Sequence, residues 1–264
     1  MKTLILLGLA ATSALALPKN EAPAGPQATD AASATPAAAT GSITGTVIWD
    51  GDMPKPAAPI AVKEAEIKGC HHDEEGGIDT TDRTLLIDKE SKGVANVAFF
   101  LELEGVEPVV PEEPYVFDQD GCRFEPHVVV VPVGSSVSYK NSDETNHNIH
   151  TYSRKTTPIN RNVAAGDSLP QVLDKAETFE VKCDIHPWMK GYIVVTDASM
   201  AQLSSGTGTF TFSDVPVGKY KLSWWHEKLG KGKTQEVEIK AGEATALEVK
   251  VKEGAAGGGR RRRR

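Results

Sequence analysis

The chain has 264 residues, enough for one large domain or two small ones, and 39% of them are hydrophobic. Its net charge of −7 gives no indication of nucleic-acid binding, and we expect no nucleic-acid partner. Five positive charges are concentrated in Arg260–Arg264, and removing them from the total leaves −12 for the rest of the chain.

The N-terminus has the three parts of a secretory signal peptide. Lys2 supplies a positive charge, an apolar run follows at Leu4–Leu9, and Ala14–Ala16 matches the small-residue cleavage pattern. This run is too short to span a bilayer, and no other stretch reaches about 18 apolar residues. We therefore predict that residues 1–16 are removed on export and that the protein works in the periplasm or outside the cell.

Both ends of the mature chain have compositions that do not favour folding. Residues 17–40 are mostly Ala, Pro, Thr and Ser, which bury too little apolar surface to offset the entropy of ordering, so we predict a disordered linker. Residues 254–264 are predicted to be a flexible Gly/Arg tail. The arginines of this tail could attach the protein to an anionic surface such as envelope polymers, or they could simply be solvated.

The rest of the chain shows the two-residue period of β-strands. Apolar side chains alternate along Ile43–Trp49, Val97–Leu103 and Phe179–Cys183, and a continuous apolar run fills Val128–Val131. Turns rich in Gly, Pro, Asn and Asp separate these short runs, which predicts an all-β sandwich fold. One weak helical pattern, at Val62–Lys68, predicts about two turns of helix.

The stretch Gly208–Trp225, GTFTFSDVPVGKYKLSWW, resembles the carboxypeptidase-regulatory-like, transthyretin-like β-sandwich, although Val217 replaces a proline of that pattern. The resemblance implies that residues 41–105 are the first half of such a sandwich and residues 198–253 the second half. Residues 106–197 would then be an inserted domain. A plain tandem of two sandwiches is the alternative.

A cysteine, a histidine and a methionine follow one another closely at the end of a predicted strand. Phe179, Val181 and Cys183 alternate with polar residues, so Cys183 is expected to point inward. The turn after it displays a thiolate, the imidazole of His186 and the thioether of Met189 around one point. With one imidazole from the upstream loop, these donors suit copper in both oxidation states. Zinc could use the cysteine and two histidines.

Two segments around these residues resemble the plastocyanin/azurin cupredoxins, above all the amicyanin-like ones. They are VKCDIHPWMKGYIVV at Val181–Val195 and KNSDETNHNIHTY at Lys140–Tyr152, and Phe124–Asn141 is similar to a strand pair of the family. The resemblance implies a Greek-key cupredoxin sandwich with one type 1 copper site.

The same resemblance implies which residues bind the copper ion. Three strong ligands and one weak axial ligand are expected: His147, Cys183, His186 and Met189. Asn148 is expected to hydrogen-bond near the sulfur and to connect the two ligand loops. His150 remains the alternative for the upstream ligand.

The predicted site and export signal indicate a blue copper protein that carries single electrons between redox partner proteins. We expect no catalysis, because Lys182 and Asp184 flank Cys183 where copper enzymes have a histidine that leads to a catalytic copper. The ring edge of His186 is expected to emerge through an apolar patch where Trp188 contacts the partner. The alternative function is copper storage or delivery, or structural binding in the envelope.

The other two cysteines allow two interpretations. In an oxidising compartment, Cys70 and Cys122 are expected to form a disulfide beside solvated histidines. The alternative is a second metal site made from Cys70–His72, Cys122 and His127. We interpret Trp224–His226 as the core and edge of a sandwich, not as a ligand set.

Overall fold

The computed structural model of the protein describes residues 39–70 and 77–254. These residues form seventeen β-strands and one turn of 3-10 helix at Glu64–Glu66, which confirms the predicted all-β class. The predicted signal peptide, almost all of the predicted linker and tail, and His71 and His72 lie outside the described residues. In the described part of the chain, no helix is long and apolar enough to cross a membrane.

The strands are short, and turns separate them along the whole described chain, as the sequence pattern predicted. In chain order they are β1 (Thr40–Trp49), β2 (Ala98–Glu102), β3 (Tyr115–Asp120), β4 (Arg123–Glu125), β5 (Val128–Pro132), β6 (Ser136–Asn141), β7 (His147–Thr151), β8 (Asn160–Val163), β9 (Ser168–Val172), β10 (Glu177–Lys182), β11 (Lys190–Thr196), β12 (Met200–Leu203), β13 (Thr209–Pro216), β14 (Gly218–His226), β15 (Gly230–Lys231), β16 (Gln235–Ile239) and β17 (Ala244–Val251).

Strands β1, β2 and β12–β17 form one β-sandwich, which we name the outer sandwich. One of its sheets has the order β13-β1-β17, in which β1 is antiparallel to β13 and parallel to β17. The other sheet has the order β12-β2-β14-β15, and β16 pairs with β14 as well. One core cluster belongs to these strands and includes Ile43, Phe99, Phe212 and Leu222, all fully buried.

Strands β3–β11 form a second β-sandwich, which we name the inner sandwich. Its two sheets have the orders β5-β11-β10-β7-β8 and β4-β3-β6-β9. A separate core cluster belongs to these strands and includes Phe117, Tyr139 and Ile193. In the chain, every strand of the inner sandwich comes after β2 and before β12. The two strands of the outer sandwich that flank this segment pair directly, with Met200 opposite Leu101.

The weak helical pattern at Val62–Lys68 does not produce the two predicted turns of helix. Only Glu64–Glu66 forms a 3-10 turn, and none of its residues is buried. A helix this short needs an apolar face packed against the protein, because short isolated helices are marginal in water. The charged residues here bury no such face, and Gly69 follows with φ of +85°.

The two sandwiches contact each other through the outward faces of β11 and β14. The rings of Tyr192 and Trp225 lie 5.5 Å apart between their centroids. Glu227, just after β14, is buried, with one carboxylate oxygen 2.9 Å from Lys190 Nζ and the other against His127 Nε2. An acidic side chain of the outer sandwich therefore pairs with two basic side chains of the inner sandwich.

The Trp-Trp-His sequence at the end of β14 belongs to the core and edge of the outer sandwich, as predicted. Trp224 is buried in its core, and His226 is only 1% exposed. Burial lowers the pKa of His226 to about 4, so this ring is neutral at physiological pH. Its Nδ1 accepts a hydrogen bond from the backbone N–H of Lys228 at 3.1 Å.

Candidate metal centre

The hairpin of β10 and β11 positions the cysteine, one histidine and the methionine. Phe179, Val181 and Cys183 are all buried, as expected for one face of a strand. The loop is closed by two backbone hydrogen bonds: Cys183 N–H donates to Met189 O at 3.3 Å, and Met189 N–H donates to His186 O at 2.9 Å. All three side chains are buried in the inner sandwich.

The second histidine comes from the first residue of β7. This strand pairs with β10, with Thr151 opposite Val181 and His150 opposite Lys182. The pairing places the start of β7 beside the loop that follows β10. His147 is fully buried there, although it belongs to a segment more than thirty residues upstream of Cys183.

Three donor atoms converge inside the inner sandwich. Cys183 Sγ lies 3.9 Å from His147 Nδ1 and 3.8 Å from His186 Nδ1, and the two nitrogens are 2.9 Å apart. A point in the centre of this triangle lies roughly 2.1 Å from each atom, which matches metal–nitrogen and metal–sulfur bonds of about 2.0–2.3 Å. The three atoms therefore fit around one ion without rearrangement.

The surroundings of Cys183 favour the thiolate over the thiol. Burial raises the pKa of Cys183, but interactions with His147, His186 and backbone N–H groups lower it by a larger amount, to about 6. Two of these donors are the N–H groups of Asn148 and His186, at 3.3 and 3.4 Å from the sulfur. These residues thus stabilise the ionised form of the thiol, which is the form that binds metals.

Asn148 connects the two segments that supply the donors. Its backbone N–H points at the sulfur of Cys183, and its side-chain oxygen accepts the N–H of Asp184 at 3.3 Å. Its amide nitrogen donates to Asn160 Oδ1 at 2.7 Å, so both ends of the amide are engaged. Such hydrogen bonds around a metal site orient the ligands and tune the ion.

The far side of the His147 ring is fixed by a carboxylate that the sequence analysis missed. Asp143 Oδ2 lies 2.7 Å from His147 Nε2, and both side chains are fully buried. The pKa of His147 is raised, because Asp143 and Cys183 together outweigh the effect of burial. A carboxylate four residues before the histidine was the only signal in the sequence.

The donor set also passes a test of hydrogen-bond chemistry. Because the Nε2 of His147 faces a carboxylate, Nε2 carries the proton in the neutral ring and Nδ1 carries the lone pair. That lone pair faces the Nδ1 of His186 in a buried site, which requires a proton or a cation between the two nitrogens. One thiolate, two imidazoles and the nearby buried Met189 suit a transition-metal cation.

The histidine alternatives do not reach this centre. His150 Nδ1 lies 3.0 Å from the carboxylate of Asp184, and its ring stacks on Tyr152 near the surface. His127 pairs with Glu227 at the contact between the two sandwiches.

Cys70 and Cys122 form a disulfide, and both are buried in the core of the inner sandwich. Cys122 Sγ lies 3.9 Å from His147 Nε2, but its sulfur is bonded to Cys70 and offers no thiolate. The Cys122 sulfur lies within metal-binding distance of the same two histidines, His147 and His186, that face Cys183. The described residues thus provide no second site of that kind.

Little of the His186 ring edge, which was predicted to emerge at the surface, is exposed. His186 is only 5% exposed, and the ring of Trp188 lies 5.2 Å from it. Trp188 is itself partly buried, and its Nε1–H donates to Cys122 O at 3.1 Å. The exposed apolar side chains of the loop are Ile185, 46% exposed, and Pro187.

No protein-family model matches the sequence. No curated protein matches it either. Solved structures that match include the Cu-containing nitrite reductase of Thermus scotoductus SA-01, at 24% identity over 34% of this chain and 25% of that chain, with a TM-score of 0.30. The chain therefore spans about a quarter of the length of that protein.

Two smaller copper proteins also match. The purple cupredoxin of Nitrosopumilus maritimus shows 27% identity over 28% of this chain and 82% of that chain, with a TM-score of 0.25. The M98A mutant of amicyanin with Cu(I) shows 20% identity over 37% of this chain and 98% of that chain, with a TM-score of 0.30. These scores are low, so we base the assignment of the site on its own geometry.

Proposed function

We propose that this protein is an exported type 1 copper protein that carries single electrons between redox partner proteins. The observation that carries the proposal is the buried triangle of Cys183 Sγ, His147 Nδ1 and His186 Nδ1. A bound copper ion would supply a one-electron couple between its two oxidation states. We assign Met189 as the weak axial ligand, because it is buried in the same loop.

The residues of the site would favour electron transfer by keeping the donors in one arrangement. Cys183 and His186 lie in a loop closed by backbone hydrogen bonds, and His147 is fixed at Nε2 by Asp143. Asn148 joins the two loops. Donors that move little need little reorganisation when the charge of the ion changes, and their burial excludes water as a further ligand.

The neighbours of Cys183 support a carrier and not a catalyst. Lys182 and Asp184 flank Cys183, so no adjacent imidazole leads from the sulfur to a second metal. We propose that partners dock at the exposed Ile185 and Pro187, where the ligand loop reaches the surface. Small, transient interfaces of this kind are typical of redox partners.

An absorption spectrum of the copper(II)-loaded protein tests the proposal. We expect an intense visible band from charge transfer between the Cys183 sulfur and copper. Cys183→Ser should remove this band, because a hydroxyl is a poor ligand at neutral pH. A wild-type protein that binds one equivalent of zinc tightly but remains colourless with copper(II) would contradict the proposal.

A matched pair of variants tests the upstream ligand. His147→Ala should abolish the visible band or shift it strongly, whereas His150→Ala should keep it, because His150 contacts Asp184 and Tyr152 and not the sulfur. If His150→Ala removes the band and His147→Ala does not, the assignment of His147 is wrong.

We propose further that the outer sandwich is a transthyretin-like sandwich formed by residues 41–105 and 198–253. The cupredoxin domain, residues 106–197, would be inserted between the two halves. The position of β3–β11 between β2 and β12 supports this organisation. Export through residues 1–16 and attachment of Arg260–Arg264 to an anionic envelope surface belong to the same proposal.

Copper storage or delivery is the second candidate, and the burial of His186 favours it. A ring that is only 5% exposed presents little edge to a redox partner. Single-electron exchange with an inorganic oxidant distinguishes the two functions. Rapid, reversible exchange without loss of copper supports the carrier, whereas slow exchange with transfer of copper to a chelator supports storage.

A further inference from the structure

The turn between β3 and β4 contacts both segments that supply the metal donors. Cys122 Sγ lies 3.9 Å from His147 Nε2, on the side of the ring away from the donor triangle. The backbone oxygen of Cys122 accepts the Nε1–H of Trp188, which belongs to the other ligand loop. One residue of this turn therefore contacts the two loops at once.

A single carboxylate holds this turn and the histidine together. Asp143 Oδ1 accepts the N–H of Gly121 at 2.9 Å, and Oδ2 accepts the N–H of Cys122 at 2.9 Å. The same Oδ2 lies 2.7 Å from His147 Nε2. A shift of the turn would therefore move the carboxylate that orients the His147 ring.

The backbone of the turn requires support from outside. Gly121 and Cys122 have φ of +61° and +52°, and a side chain such as that of Cys122 adopts this region at an energetic cost. Such conformations persist when the surrounding structure determines them. Here the support includes the two bonds to Asp143 and the disulfide to Cys70.

The other half of the cystine comes from a connection between two strands of the outer sandwich. Cys70 lies in the long connection between β1 and β2, and this connection is fastened beside the metal centre at two points. One point is the disulfide, and the other is Gly69 O, which accepts the N–H of Glu144 at 2.8 Å. Glu144 directly follows the carboxylate that contacts His147.

We propose that the Cys70–Cys122 cystine is a positioning element of the metal centre. It fixes the turn that sets Asp143, and through Asp143 it fixes the His147 ring that faces the ion. Its place is on the Nε2 side of His147, so it acts on the centre without being a ligand. This inference rests on the proposed metal site and extends it to a part of the outer sandwich.

The test compares metal binding by the full chain with and without the cystine. The double variant Cys70→Ser/Cys122→Ser removes the cross-link and leaves no free thiol beside His147. We expect about tenfold or greater weakening of zinc affinity, the size typical for residues that orient ligands. We also expect a changed copper hyperfine splitting in the electron paramagnetic resonance spectrum.

A control variant separates positioning from general loss of stability. Gly45→Ala destabilises the core of the outer sandwich, because a Cβ at this position overlaps the Phe210 ring. It should keep the wild-type zinc affinity and copper spectrum while lowering the unfolding midpoint. A double variant that is merely less stable, with unchanged affinity and spectrum, overturns the inference.

The results also separate this inference from the proposed function. A wild-type protein that lacks the visible copper band, combined with weakened zinc binding in the double variant, contradicts the electron carrier and supports the positioning role.

If the double variant does not fold, wild-type protein treated with a water-soluble phosphine replaces it. The phosphine takes the oxygen of one water molecule and converts the disulfide to two thiols. Unchanged zinc affinity of the reduced, folded protein overturns the positioning role.

Discussion

Cys183 is the residue whose ionisation is most altered among those that supply donors. Its pKa of about 6 lies well below the ordinary value of a thiol, because His147, His186 and two backbone N–H groups stabilise the thiolate more than burial destabilises it. At neutral pH the sulfur is therefore mostly ionised, and metal binding releases only a small fraction of a proton from it. Below pH 6 the proton competes with the metal.

We predict that zinc affinity falls as the pH decreases through about 6. The reason is that Cys183 must then lose a proton on binding. Competition titrations with a chelator of known affinity at each pH measure this. An affinity that declines steadily from pH 9, as for an ordinary thiol, would contradict the low pKa.

The same ionisation makes the stability of the metal-free fold depend on pH. Because the pKa of Cys183 is lower in the folded chain than in the unfolded chain, unfolding takes up a proton between about pH 6 and 9. This contribution to stability is therefore complete above pH 9 and is lost as the pH falls through 6. Urea unfolding midpoints should show the trend in the wild type, and Cys183→Ser should remove this component.

At the scale of elements, β1 shows how the sequence of a strand is set by its neighbouring strand. Ile43 and Val47 are buried, but the residue between them on the same face is Gly45. The space that a side chain at Gly45 would occupy is filled by the ring of Phe210. This ring stacks on Phe99 with 3.8 Å between centroids. The small residue is required by a side chain of β13, more than 160 positions away in the chain.

We predict that Gly45→Ala lowers the free energy of unfolding by about 1–3 kcal/mol, as overpacked cores do. The added methyl group overlaps Phe210, and the ring must move away from Phe99. Thr44→Ala, at an exposed position of the same strand, is the control and should change stability by less than about 1 kcal/mol. Chemical denaturation measures both variants. Equal effects of the two variants would contradict the packing argument.

The elements nearest to the metal centre were the easiest to predict from sequence. The alternation of Phe179, Val181 and Cys183 predicted their inward face, because the period of a strand is a local property. The contact of Asp143 with His147 and the burial of His186 were not predicted, because they depend on how separate loops pack. The helix predicted near Glu64 failed for the same reason, since none of the residues Glu64–Glu66 is buried against the protein.

At the scale of the whole molecule, Glu227 is the charged residue that links the two sandwiches. It is buried between Lys190 and His127, both of the inner sandwich. Lys190 directly follows Met189, so this contact lies at the end of the ligand loop. This contact could not be predicted from the sequence, because the pairing of charges more than 30 residues apart does not follow from their spacing.

We predict that Glu227→Ala lowers the free energy of unfolding by about 3 kcal/mol, because it leaves Lys190 and His127 without their buried partner. Glu253→Ala removes a surface pair with Lys228 and should cost less than about 1 kcal/mol. Calorimetry measures both variants, and the first should also separate the unfolding of the two sandwiches. A single transition with a wild-type midpoint would contradict the role of Glu227.

The place of β1 in its sheet has a consequence for the order of assembly. Its two neighbours, β13 and β17, come from the far end of the chain, whereas every strand of the inner sandwich lies within 82 consecutive positions, Tyr115–Thr196. A chain that emerges from a ribosome or a translocation channel in N-to-C order can therefore complete the inner sandwich first. Strand β1 can pair only after β13 and β17 have emerged, so the outer sandwich forms after the inner sandwich is complete.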